Sequence, residues 1–174
     1  MEKRINSQEV YKGKIIRVVK DEVELDDGSR SFREVVYHNG GVCIALKHED
    51  KYFMVKQYRY AIGKEMYEFP AGKIELNEQP DRAIEREAIE ETGYSAKNII
   101  KFPYIIPTCG YDSEKIYLYY GETDKQLGQH LDIDERIDLF KFTYKQIEEM
   151  IKNGEIDDSK TIALMYQLKL NGLE

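Results

Sequence analysis

The chain has 174 residues, of which 33 are acidic and 26 basic, so its formal net charge is −7. Its apolar content of 41% is enough to build the core of one domain and too high for a disordered chain. The acidic balance disfavours nucleic acid and anionic membranes as partners, because both bind basic surfaces. Without a membrane-length apolar run, a secretion signal or a disulfide framework, the sequence leads us to expect a cytoplasmic protein.

The first half of the chain is predicted to consist of strands joined by short turns. Residues 14–25 are rich in Ile and Val, and the Asp26-Asp27-Gly28 turn leads into a second strand over residues 32–37. Residues 42–46 form a continuous apolar run, which is typical of a strand buried on both faces. A further strand is expected over residues 52–58.

The best-marked helix is predicted between Pro80, which suits the first helical position, and Gly93, which suits the cap after the last turn. Strands are then expected near residues 101–106, 115–122 and 137–142. Two helices close the chain, the first ending at Asn153 and the second beginning at Asp158 or Ser159. Because helices and strands do not alternate strictly, we expect an α+β fold, an α/β/α sandwich around a mixed sheet.

Three glutamates of the predicted helix, Glu87, Glu90 and Glu91, fall within an arc of about 100° on one side. Glu87 and Glu91 have no Lys or Arg four residues away, whereas Glu90 has Arg86. A solvated acidic face would be the ordinary explanation of such a cluster. The missing cationic partners favour a divalent cation instead, since Mg²⁺ takes oxygen ligands, often one or two carboxylates with substrate phosphate.

The pattern around these glutamates resembles the Nudix box. Gly72 is followed after five residues by Glu78 and, after seven more, by the run Arg86-Glu87-Ala88-Ile89-Glu90-Glu91-Thr92-Gly93-Tyr94. Ala88 and Tyr94 stand where bulky aliphatic residues are usual. The resemblance implies a Nudix fold with a mixed central sheet, a loop–helix–loop that binds Mg²⁺ or Mn²⁺, and an N-terminal antiparallel β extension.

The resemblance also implies roles for individual residues of the box. The metal ligands that it implies are the carboxylates of Glu87, Glu91 and Glu90 and the carbonyl of Ala71, with Glu90 as either a ligand or a hydrogen-bonding neighbour. Arg86 would orient the glutamates, and Glu78 would be a structural pairing residue at the loop.

Segments outside the box resemble the ADP-ribose pyrophosphatase branch of this family. They comprise residues 11–15, 33–38, 57–60, 68–72, 107–111 and 154–161, with Cys109 where relatives usually carry Pro. The resemblance implies hydrolysis of ADP-ribose to AMP and ribose 5-phosphate by a single Nudix domain over residues 1–174. Its alternatives are another nucleoside diphosphate sugar, such as GDP-mannose or ADP-glucose, and a ligand-sensing module without hydrolysis.

In this branch the catalytic base comes from a loop well beyond the box. The loop of residues 132–135 is acidic, and Glu135 matches best by its spacing to Ile137, with Asp134 and Asp132 as the other candidates. An ordinary acidic surface loop is the alternative interpretation of this segment.

The resemblance further implies four substrate-binding residues. Arg59 would hold a phosphate, with an unpaired surface arginine as the alternative, because Arg suits bidentate phosphate contacts. Glu68 would contact ribose hydroxyls or a second metal site. Relatives in the branch are homodimers, and residues 1–38 would serve dimerisation, so that Arg33 and Phe32 line the partner's adenine and phosphate pocket. Strand packing is the alternative for Phe32.

Overall fold

The computed structural model describes residues 1–131 and 136–174. These residues divide into two compact units, one of residues 1–40 and 106–115 and the other of residues 41–105 and 116–174. In the described part of the chain, no helix is long and apolar enough to span a membrane.

The first unit is built on an antiparallel sheet. Its described strands are β1 (Lys3–Lys12), β2 (Ile16–Glu24) and β3 (Arg30–His38), paired in the order β1-β2-β3. Residues 106–115 join this sheet at β3, where the Val36 amide donates to the Tyr111 carbonyl at 2.8 Å and the Ser113 amide donates to the Val36 carbonyl at 2.9 Å. The predicted N-terminal antiparallel β extension is therefore confirmed.

Strand β1 was not predicted as a strand, and its burial explains why. All ten of its residues are exposed, so its sequence carries no alternation of apolar and polar positions. The strand is held instead by an antiparallel ladder to β2 that runs from Lys3 opposite Glu24 to Lys12 opposite Arg17. Backbone hydrogen bonding of this kind leaves no signature in the side chains.

The second unit contains a mixed sheet. Its strands within the described residues are β4 (Gly41–His48), β5 (Lys51–Arg59), β6 (Lys64–Glu68), β7 (Ala71–Lys73), β8 (Tyr94–Lys101), β9 (Ile116–Gln126) and β10 (Ile137–Phe142). The order is β10-β5-β4-β9-β8, with β6 paired to β5 and β7 to β4. Strands β4 and β9 are parallel, and the other described pairs are antiparallel.

Helices cover both faces of this sheet: α1 (Pro80–Thr92), α2 (Tyr144–Lys152) and α3 (Ser159–Leu170). Val42, Ile44 and Leu46 of β4 share an apolar cluster with Ile84 and Ala88 of α1. The intervening residues of β4 belong to a second cluster with side chains of α2 and α3. Strand β4 is thus buried on both faces as predicted, and the α/β/α sandwich is confirmed.

The predicted strand over residues 101–106 is wrong. Strand β8 ends at Lys101, and only an isolated bridge between Ile105 and Ile116 follows. Pro103 lacks the amide hydrogen that a strand ladder needs. Strand β8, at the edge of the sheet, and the short strands β6 and β7 were not predicted, because few of their side chains are buried.

The predicted helix limits are confirmed. Helix α1 begins at Pro80, and Gly93 follows it with φ +77° while its amide donates to the Ile89 carbonyl. Of the two candidates for the cap of α3, the structure selects Asp158, whose carboxylate accepts from the Thr161 amide.

Candidate active site

The candidate site begins where β7 lies against α1. Ala71 and Gly72 pair with Cys43 and Val42 of β4, which fixes the position of their backbone in the sheet. From this strand the Ala71 amide donates to Oε2 of Glu91 at 2.9 Å. Glu91 is only 2% exposed, so this main-chain contact holds a carboxylate that is almost completely buried.

Gly72 provides the space for the second carboxylate. A Cβ at this position would lie 1.9 Å from the carboxyl carbon and Oε1 of Glu87 and 2.3 Å from its Oε2. Glu87 is 8% exposed, so a side chain at position 72 could be accommodated only by displacing this buried carboxylate. The glycine is therefore required by the close approach of a carboxylate to the backbone, which only a residue without a side chain permits.

Arg86 connects the carboxylates of the loop and the helix. Its Nε and Nη2 each donate at 3.0 Å to the two oxygens of Glu78. Its Nη1 donates at 2.8 Å to Oε1 of Glu87 and to Oε2 of Glu90, and Nη2 also donates to the Lys73 carbonyl at 3.1 Å. The guanidinium thus ties three glutamates to one another.

These contacts affect both charge and conformation. The hydrogen bond from Arg86 lowers the pKa of Glu78 and, in return, raises the pKa of Arg86. Oε2 of Glu78 also accepts from the Glu75 amide at 2.9 Å, which closes the loop before α1. The inference that Glu87 lacks a cationic neighbour is wrong, because Arg86 contacts it from the adjacent position and not from four residues away.

The donor atoms at this site fit a hard divalent cation. Glu87 and Glu91 lie one helical turn apart against Ala71 and Gly72, and all of the available donors are oxygens. Among residues 1–131 and 136–174, no three His, Cys, Asp or Glu side chains already converge as a metal-binding group. Because Mg²⁺ usually binds through one or two carboxylates together with water and substrate oxygens, a ready-made cluster is not required.

A second group of charged residues lies just before Ala71 in the chain. Glu68, which is 1% exposed, accepts from Nε of Arg59 at 2.6 Å and from Nη2 of Arg59 at 2.5 Å. Its Oε2 also accepts from the ammonium of Lys160, which in turn donates to Oδ1 of Asp158 at 3.0 Å. We call these four residues the Lys160 network.

In the Lys160 network, neighbouring opposite charges outweigh the effect of burial on the pKa values of Glu68 and Lys160. Burial alone would raise the pKa of Glu68, but the hydrogen bond from Arg59 and the charge of Lys160 outweigh it and lower that pKa. Burial would likewise lower the pKa of Lys160, and the charges of Asp158 and Glu68 raise it instead. Lys160 and Asp158 received no role from the sequence, because they lie about 90 residues beyond Glu68.

The structure places Arg59 and Glu68 in contact, and this contact bears on the role predicted for each residue. Arg59 is not an unpaired surface arginine, since its Nε and Nη2 are engaged. Within the part of the chain that the structure describes, its Nη1 has no hydrogen-bond partner and stays available to a ligand. Both oxygens of Glu68 already accept hydrogen bonds inside the protein, so its geometry favours the orientation of Arg59 over direct contact with ribose.

The other predicted site residues belong to the first unit or to the undescribed segment of residues 132–135. Arg33 and Phe32 are on β3 in the first unit, where Arg33 donates to both carboxylate oxygens of Glu2. Phe32 is 59% exposed and lies under the ammonium of Lys20 at 4.6 Å, so it is not a packed strand residue. The proposed base Glu135, with its alternatives Asp134 and Asp132, falls outside the described residues.

Two family models and a solved structure match this chain. The model of the NUDIX domain family matches residues 37–165, and that of the nucleoside diphosphate sugar hydrolase N-terminal domain matches residues 2–36. The crystal structure of an ADP compounds hydrolase superposes with a TM-score of 0.87 at 17% identity, covering 99% of this chain and 97% of that one. That likeness establishes the fold.

Two relatives are similar over 97% of this chain and 93% of their own length. A methanol dehydrogenase activator of Bacillus methanolicus is 37% identical, and an ADP-ribose pyrophosphatase of Bacillus subtilis (strain 168) is 34% identical. A GDP-mannose pyrophosphatase of Enterobacter sp. (strain 638) is 33% identical over 83% of this chain and 81% of its own.

Proposed function

Because this chain belongs to the NUDIX family, we propose that it hydrolyses the pyrophosphate bond of ADP-ribose to AMP and ribose 5-phosphate. The observation that carries the proposal is the pair of buried carboxylates, Glu87 and Glu91, held against Gly72 and Ala71, with Glu87 also accepting a hydrogen bond from Arg86. The Bacillus subtilis relative named ADP-ribose pyrophosphatase, similar over nearly the whole chain, supports this choice of substrate.

The box residues have distinct parts in the proposed reaction. The metal, Mg²⁺ or alternatively Mn²⁺, would be held by the carboxylates of Glu87, Glu91 and Glu90 and the carbonyl of Ala71. When bound, it would neutralise charge on the pyrophosphate and lower the pKa of a water molecule. Arg86 keeps the carboxylates of Glu87 and Glu90 in place through Nη1. The Ala71 amide fixes the orientation of Glu91.

Proton transfer and substrate binding need further residues. Glu135 is proposed to accept the proton of the attacking water, with Asp134 and Asp132 as alternatives. A mild effect of Glu135→Gln on kcat would indicate that Asp134 or Asp132 is the base instead. Nη1 of Arg59 is proposed to bind a phosphate oxygen, supported by the fixed orientation that Glu68 gives the guanidinium.

A homodimer would let Arg33 and Phe32 serve the site of the other copy. The exposure of Phe32 and of the whole of β1 is compatible with such a role. Light scattering at micromolar concentration tests this proposal directly. A mass near 20.5 kDa, that of one chain, would remove the cross-subunit roles of both residues.

The test of function is a substrate panel with product identification. We expect release of AMP from ADP-ribose in Mg²⁺ to exceed hydrolysis of GDP-mannose and ADP-glucose. Glu91→Gln should reduce kcat at least about 100-fold while the far-UV circular dichroism is unchanged. Glu85→Gln is the matched control, because Glu85 lies on the same helix but is exposed and paired with Arg82. Near-parental turnover of the Glu91 variant would refute the assigned metal site.

A second candidate is hydrolysis of another nucleoside diphosphate sugar. The observation that favours it is the 33% identity to a GDP-mannose pyrophosphatase. A clear preference for GDP-mannose in the panel would replace ADP-ribose as the substrate. Tight binding of ADP-ribose without turnover would instead indicate a sensing module.

A further inference from the structure

The Lys160 network connects the first turn of α3 with the segment that leads into the candidate active site. We propose that Lys160 is a positioning residue that holds the carboxylate of Glu68 and, through it, presents the guanidinium of Arg59 to the substrate. This inference rests on the proposed function and adds to it a residue from the far end of the chain.

The burial of Lys160 is the first argument. Its residue is 9% exposed, and its ammonium contacts two carboxylates, those of Glu68 and Asp158. With Arg59 the network contains two cations and two anions, so its charges balance. Buried charges are tolerated only when they are paired, and removal of one partner leaves the others uncompensated. Loss of Lys160 would therefore draw Arg59 towards the two remaining carboxylates.

The position of Lys160 on the helix is the second argument. It is the second residue of α3, where the partial positive charge of the helix N-terminus disfavours a cation. Asp158 already caps this helix through the Thr161 amide at 3.0 Å. The stability of α3 by itself therefore gives no reason for a lysine here, whereas contact with Glu68 does.

The Lys160 network also adjoins the segment that leads to the carboxylates proposed to bind the metal. Oγ1 of Thr161 accepts from the Phe69 amide at 2.9 Å, so the same turn of α3 also holds the backbone between Glu68 and Ala71. The charge of Glu91 contributes to the raised pKa of Arg59, after the larger effect of the hydrogen bond to Glu68. A displacement of Arg59 would thus occur within electrostatic range of Glu91.

Steady-state kinetics with ADP-ribose test the proposal. We expect Lys160→Met to raise KM about tenfold and to leave kcat within about threefold of the parent value. The reason is that a displaced Arg59 guanidinium binds the substrate phosphate less well. Lys160→Arg keeps the charge and should recover most of the lost affinity. Lys169→Met is the control, since Lys169 lies exposed in the last turn of the same helix. An unchanged KM in Lys160→Met would overturn the proposal.

A double-mutant cycle separates positioning from a merely structural role. If Lys160 acts through Glu68, Lys160→Met should add less than about twofold to KM when Glu68→Gln is already present. Independent, multiplicative effects would overturn the proposal. Circular dichroism confirms that each variant is folded.

A measurement without turnover keeps the inference independent of the substrate assignment. In the parent, the Nε–H of Arg59 should give a slowly exchanging nitrogen-15 resonance, assigned by its loss in Arg59→Lys. The resonance should shift or broaden in Lys160→Met and persist in Lys160→Arg. An identical resonance in all folded Lys160 variants would refute positioning, whereas a parent inactive on ADP-ribose would refute only the proposed function.

Discussion

At the candidate site the carboxylate of Glu87 lies against Gly72, and Gly72→Ala perturbs this close approach with a single carbon atom. The added Cβ would lie 1.9 Å from the carboxylate, whereas real Cβ contacts are essentially never closer than 3.0 Å. The carboxylate must therefore move by about 1 Å or rotate away. The strand itself is held by its pairing with β4, so the side chain moves and the backbone stays.

This movement has different consequences for activity and for stability. A misplacement of about 1 Å in a catalytic constellation can cost about 100-fold in rate, so we expect kcat/KM to fall by that factor. The folded state loses the 2.8 Å hydrogen bond from Nη1 of Arg86 to Glu87. Because that pair is partly solvated, the loss should lower the free energy of unfolding by only about 1–2 kcal/mol.

The assay compares kcat/KM for AMP release with the free energy of unfolding from urea titration. Gly172→Ala is the matched control, because Gly172 has φ +64° and a Cβ added there would meet no atom within 4 Å. Its alanine should cost about 1 kcal/mol of stability through backbone strain alone and leave kcat/KM unchanged. Activity of Gly72→Ala within about threefold of the parent would refute the reasoning, since Glu87 would then not need its observed place.

Three further predictions concern Arg86, Glu68 and the metal. Arg86→Lys keeps the charge but removes the bidentate contact with Glu78. We therefore expect kcat/KM to fall at least about tenfold in the same assay, and a parental value of kcat/KM would contradict this expectation. The pKa of Glu68 is lower in the folded protein than its ordinary value of 4.5, so its ion pairs stabilise the fold fully at a pH above 4.5. This contribution is lost as the pH falls through the lower folded-state pKa. The free energy of unfolding from urea titration should therefore depend less on pH in acid for Glu68→Gln than for the parent. Parallel pH profiles of the two proteins would contradict this role of Glu68. Chelation with EDTA should abolish AMP release and added Mg²⁺ should restore it, whereas full activity in EDTA would exclude metal dependence.

Elements marked by local chemistry could be predicted from the sequence. The run from Val42 to Leu46 is apolar because both faces of β4 are covered, and helix α1 begins and ends at residues whose backbone preferences suit those positions. The box glutamates were also recognisable, since their spacing along one helix determines which of them share a side. In each case the cause and its signature lie within a few residues of each other.

Elements that depend on distant partners could not be predicted in this way. Strand β1 buries no residue and exists through backbone pairing with β2, so the side chains carry no pattern. The strand expected at residues 101–106 followed from composition, but Pro103 prevents a regular ladder and the edge strand β8 precedes it instead.

The sequence was sufficient to indicate the family, through the resemblance of residues 72–94 to the Nudix box, and to single out the acidic residues of that box, because both depend on residue types at short, fixed spacings. Only the tertiary structure showed why Gly72 is a glycine, that Arg86 also contacts Glu87, and that Lys160 reaches Glu68 across 92 positions of the chain. The physical reason is that packing and charge pairing act through space. A buried ion needs a partner close by, and the chain can supply that partner from any position that folding brings there.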